Sequence, residues 1–149
     1  MSIIRDIKNA KIKYTDSVIF VKSGNFYRCY DKDAYIVSYL MNYQIKQATS
    51  ATYMCGFPVG SLEKVEDVLE TNQVSYRILD FKREDKTLVE ECNFSEHNLY
   101  DDIYSKAYKY INLKKRIELM CYCLTNNIEK EGAMDKIAEI EKLVFESFP

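Results

Sequence analysis

A chain of 149 residues that is 47% hydrophobic and 30% charged holds enough apolar material for an independent core and too much for a disordered segment. Its net charge of −2 offers no whole-molecule grip on nucleic acid, and the balance shifts along the chain: residues 1–80 carry 10 Lys+Arg against 9 Asp+Glu, residues 81–149 carry 11 against 14. No apolar run approaches the roughly 18 residues that span a bilayer, and the first residues lack a signal-peptide core, so the expectation is a cytoplasmic protein.

Residues 1–13 mix Ile3, Ile4, Ile7 and Ile12 with basic residues and predict a short helix packed on the body. The run "SVIFVK" (17–22) meets the turn cluster Ser23-Gly24-Asn25, and "FYRCY" resumes with strand composition, so residues 17–30 predict a β-hairpin. Alternation puts Phe26, Arg28 and Tyr30 on one face and Tyr27 and Cys29 on the other. "DKDAYIVSYLMNY" follows with acidic residues in its first turn and Ala34, Val37, Leu40 and Met41 at helical spacing.

The polar segment "QIKQATSA" leads to a short strand in "TYMCGFPVG", where Gly56 and Pro58 shape a bend. Ser61 is placed to cap the helix "LEKVEDVLETN", Asn72 ends it, and "VSYRILDF" predicts another strand. "KREDKTLVEECN" (82–93) is charged and predicts a connector, with a short strand at Thr87–Val89 as an option. From Ser95, a candidate cap, the rest predicts helix: a stripe from Leu99 through Ile103, Ala107 and Ile111 to Leu124, a break at Asn126-Asn127, and a second stripe from Met134 to Phe148. Two antiparallel helices of unequal length are the simplest outcome.

The five cysteines (Cys29, Cys55, Cys92, Cys121, Cys123) show no C-x-x-C spacing and suit reduced, mostly buried thiols. His97 has no nucleophile or second histidine to support catalysis. Asp31 and Asp33 suit a helix start, and the Asp80, Lys82, Glu84, Asp85 group resembles nuclease letters only by coincidence. No enzyme, cofactor or metal site is expected. Tyr100, Tyr104 and Tyr108 recur every four residues, a core stripe by default and a partner-facing surface as the alternative.

The ordered strings "GNFYRCYDKDA", "MCGFPVGSLEKVEDVLETN" and "VSYRILD" resemble the N-terminal, mismatch-recognition domain of the MutS DNA mismatch repair family over roughly residues 10–81. That domain carries a Gly-Asp-Phe-Tyr-Glu motif, an acidic helix start, a Gly-x-Pro segment and a helix leading to a strand. The resemblance implies an α/β (α+β) fold with a mixed sheet flanked by helices, here with an appended C-terminal helical hairpin. The expected division is 1–81 for the MutS-like domain, 82–93 for the connector and 94–149 for the helical extension. The family's other domains do not fit in 149 residues and no G-x-x-x-x-G-K-[ST] loop occurs, so the expectation is a stand-alone domain without the ATPase.

In the family the aromatic wedges beside a mispaired base from the minor groove and the Glu hydrogen-bonds that base. By position, Phe26 takes the wedge place and Arg28 the Glu place, while Asn25 replaces the family's Asp and Lys22 flanks the turn. A guanidinium is attracted to any phosphate and to minor-groove acceptors in general, so the exchange implies weaker mismatch discrimination with general affinity kept or raised. Phe26 could equally be a packed hairpin aromatic, and Arg28 and Lys22 ordinary solvated strand residues. The implied function is a non-enzymatic DNA-binding module using Phe26, Arg28, Asn25 and Lys22, with homodimerisation or a protein partner through the C-terminal helices. The alternative is a protein-interaction adaptor that kept the fold and lost DNA binding.

Overall fold

The structure, a computed structural model, describes residues 3–82 and 88–149. The chain forms α1 (Ile3–Lys13), β1 (Val18–Ser23), β2 (Phe26–Tyr30), α2 (Lys32–Met41), β3 (Ile45–Thr49), β4 (Thr52–Pro58), α3 (Leu62–Thr71), β5 (Tyr76–Leu79), β6 (Leu88–Cys92), α4 (Tyr100–Asn126) and α5 (Ala133–Ser147). The six strands make one mixed sheet in the order β3-β4-β2-β1-β5-β6, in which β1 and β5 run parallel and the other neighbours antiparallel. The α/β architecture implied by the sequence is therefore present.

The two faces of the sheet bury different residues, as period-2 alternation requires. One face joins Val18, Phe20, Cys29, Cys55, Phe57, Tyr76 and Ile78 to Ile36 and Val37 of α2, Val65 and Leu69 of α3, and Tyr100 and Ile103 at the start of α4. Phe20 anchors it, with its ring edge-on to Phe57 at 5.4 Å. On the other face Ile7 of α1 packs against Ile19, Val21, Tyr30 and Leu79.

A buried polar hub ties these layers together. Asp33 is fully buried; its Oδ1 accepts hydrogen bonds from Lys11 Nζ (2.9 Å) and Tyr100 OH (2.6 Å), and its Oδ2 accepts one from the Ile19 N–H (3.0 Å). Burial raises the Asp33 carboxyl above its ordinary range, against the opposing pull of Lys11, Tyr100 and the Ile19 amide. Asp33 is thus a link between α1, β1, α2 and α4 rather than an ordinary helix-dipole acid.

Several boundaries differ from expectation. The polar segment after α2 contains β3, in which Ile45 packs on the core. Part of the expected connector is β6, paired with β5; Thr87, Glu84 and Asp85 lie outside the described residues. Ser61 makes no side-chain cap and ends a 3-10 turn (Val59–Ser61) ahead of α3. Ser95 lies in another 3-10 turn (Ser95–His97), and the side chain that receives the Tyr100 N–H at the start of α4 is Asn98 (3.3 Å), which also receives the Ser75 N–H (3.0 Å).

The chain divides into a unit ending at Ile111 and a second unit, Asn112–Pro149. Tyr100, Ile103, Ala107 and Ile111 are buried within the first, so β6 and the first three turns of α4 belong to it rather than to a connector and an extension beginning at residue 94. In the second unit α5 has no buried residue. Cys29 and Cys55 are buried as expected and Cys92 is half-buried, whereas Cys121 and Cys123 are exposed on α4.

Candidate nucleic-acid interface

The hairpin tip follows from two residues. Ser23 pairs with Phe26 across the two-residue loop Gly24-Asn25, and Gly24 takes a φ of 61°, a backbone state that costs glycine little. The Asn25 carbonyl accepts a hydrogen bond from the Val59 N–H (3.0 Å), tying the loop to the turn that enters α3.

From this tip β2 runs inward. Tyr27 and Cys29 point to the α2/α3 core and Tyr30 to the α1 side, so Phe26 and Arg28 share the α1 face of the sheet, as alternation predicts. Helix α1 covers β1 and Tyr30 but leaves Phe26 45% exposed and Arg28 half-buried. The ring therefore does not belong to the core.

Neighbouring strands complete a cleft of about 380 Å³ lined by Phe26, Arg28, Tyr43, Gln44, Lys46, Met54 and Gly56. The ladder fixes its order. Phe26 stands opposite Pro58, Arg28 opposite Gly56 and Tyr30 opposite Met54, and Met54 in turn stands opposite Lys46. Gly56 leaves the floor open where the Arg28 stem crosses it. Two cations and no carboxylate line the cleft, so its local charge is positive although the chain is net acidic. Burial raises the Tyr30 hydroxyl above its ordinary range, and the adjacent Arg28 guanidinium offsets part of that rise.

The residues singled out from sequence separate here. Phe26 and Arg28 share the cleft, and Asn25 is exposed in the loop beside them. Lys22 pairs with Tyr27 and so faces the opposite side of the hairpin, away from both. Sequence reasoning missed Tyr43, Gln44 and Lys46. The signal for Gln44 and Lys46 was available in their alternation with Ile45, which packs on the core while they line the cleft; Tyr43, which touches both the core and the cleft, had no such signal.

Away from the cleft, Tyr35, Tyr53, Tyr104 and Tyr108 cluster with ring centroids about 6 Å apart, and Tyr108 is 50% exposed. The tyrosine stripe of α4 is thus core at Tyr100 and surface by Tyr108. His97 is exposed in its 3-10 turn. No helix among the described residues is long and apolar enough to cross a membrane.

A comparison with curated proteins gave no match. The family model of MutS domain I matches residues 2–98, about two-thirds of the chain. The matched span contains all six strands, including the missed β3 and β6, and reaches well beyond residues 10–81 on which the motif resemblance rests. The chain belongs to the MutS domain I family, the mismatch-recognition domain family.

Proposed function

We propose that this chain is a non-enzymatic module that binds duplex DNA through the hairpin face carrying Phe26, Arg28 and Lys46. The observation that carries the reading is an exposed aromatic ring at a hairpin tip beside a cleft lined by two cations and no carboxylate. An aromatic wedge must reach bases and offset an unstacking cost of a few kcal/mol, which a ring retained in a core cannot do. Arg28 and Lys46 supply the charge that draws a phosphate backbone to the tip, and Asn25 offers a neutral amide where the family's motif has an acid.

Arg28 in the family's Glu place separates affinity from discrimination. A carboxylate near phosphates is tolerable only when a base donates a hydrogen bond to it, whereas a guanidinium is favourable next to any phosphate. The module therefore binds matched and mismatched duplexes with similar affinity. A protein-interaction role is the second reading, supported by the acidic balance of residues 81–149.

Fluorescence anisotropy with matched and mismatched oligonucleotide duplexes at low salt tests this. Binding of both duplexes, weakened by Phe26→Ala and by Arg28→Ala, is the expected result. Absence of binding, with the variants folded, selects the protein-interaction role.

A further inference from the structure

We infer that the second unit, Asn112–Pro149, is a self-association surface whose occupant is the same surface of a second copy of this chain. Two apolar stripes lie uncovered there. At 100° per residue Leu113, Ile117, Met120 and Leu124 fall within about 60° of arc on α4, a spacing of four, three and four residues. Ile117 is 55% exposed and Met120 58%. On α5, Ile137, Ile140 and Val144 fall on one face at a spacing of three and four, and Ile140 and Val144 are exposed. A 15-residue helix with no buried residue is marginal alone in water, so the stripe needs a partner surface.

Charge selects the partner. Residues 112–126 hold Lys114, Lys115 and Arg116 against the single acid Glu118, while α5 holds Asp135, Glu139, Glu141 and Glu146 against Lys136 and Lys142. Lys114 and Arg116 border the α4 stripe on its two sides. Glu141 borders the α5 stripe and lines a groove of about 310 Å³ with Ile128, Met134, Ile137 and Ala138, in which it is the one charged side chain. Glu141 forms no ion pair among the described residues.

An apolar groove holding one carboxylate fits a long aliphatic stem with a cationic head. Arg116 and Lys114 beside Leu113 and Ile117 are such side chains. Both halves of the match lie on one chain, yet the stripes stay exposed in a single copy. A two-fold pairing lets α4 of each copy meet α5 of the other, so each match is made twice. This inference does not depend on DNA binding.

Sedimentation equilibrium of the full chain, with Lys114→Glu/Arg116→Glu and Glu141→Lys variants checked for unchanged circular dichroism, tests it. The expected wild-type species is a dimer, and each variant raises the dimer dissociation constant by about tenfold. An equimolar mixture of the two variants recovers tight association as a heterodimer, because each supplies the charge the other has lost. A monomer at every concentration overturns the inference, as does association that ignores both reversals or a mixture that fails to recover it.

Discussion

Arg28 and Gly56 stand directly opposite each other in the β2–β4 ladder, and a Cβ built on Gly56 would lie 3.5 Å from Arg28 Cγ. That is ordinary van der Waals distance, so alanine fits at position 56 and a branched side chain does not fit without moving the arginine. Gly56→Ala should leave both stability and DNA affinity close to wild type. Gly56→Val should fold but lose about as much affinity as Arg28→Ala, measured by anisotropy against thermal melting.

Arg28→Glu restores the family's carboxylate. It should lower affinity for matched duplex and raise the preference for a mismatch, the opposite of a nonspecific loss of charge. Arg28→Ala should lower affinity for both duplexes and reduce the slope of log K against log salt by about 1, the value for one lost phosphate contact. Titrations at three or more salt concentrations separate these outcomes.

The Asp33 hub makes a separate claim about stability. Asp33→Ala removes the acceptor of Lys11, Tyr100 and the Ile19 N–H at once and should cost about 3 kcal/mol in urea unfolding. Lys11→Met should also destabilise, because it leaves a buried carboxylate without its cation. Its cost should shrink in acid, where Asp33 can take up a proton, whereas the cost of Asp33→Ala should not shrink in this way.

Glu66 predicts the direction of pH dependence. Burial first, then the charges of Glu90, Glu70 and Asp67, push its carboxyl from 4.5 to about 7, and its buried Oε1 has no hydrogen-bond partner among the described residues. A carboxyl raised in the folded state holds its proton more tightly there than in the unfolded chain. Its contribution is therefore favourable below the unfolded value of 4.5 and is lost as pH rises toward about 7. Glu66→Gln should melt higher than wild type above pH 7 and flatten the fall in melting temperature between 4.5 and 7.

Much of the first unit was legible because its signals are local. Val18–Val21 alternate into two cores, Gly24-Asn25 make the loop, and Phe26, Arg28 and Tyr30 share a face by spacing alone. Edge strands were harder to see. β3 is mostly exposed, with Ile45 packed on the core, and β6 carries Glu90 and Glu91, so each shows a polar outer side and a weak apolar pattern.

The partners of Asp33 could not be read from spacing. Lys11 lies 22 residues away and Tyr100 67, and only the packed layers bring them together. The unit boundary within α4 was hidden for a related reason: apolar residues continue along the helix past Ile111 without a break in the sequence, and burial alone marks where the core stops. At the cleft, Phe26 and Arg28 were visible from the hairpin pattern. Lys46 was hidden with the strand that carries it.

The most direct test of the central claim, that Phe26 meets DNA bases, is 2-aminopurine fluorescence in a duplex with the probe beside a mismatched pair. Adding the wild-type chain should raise the emission as the ring unstacks the probe, and Phe26→Ala at saturating concentration should bind without raising it. No rise with wild type, or an equal rise with Phe26→Ala, would contradict the account.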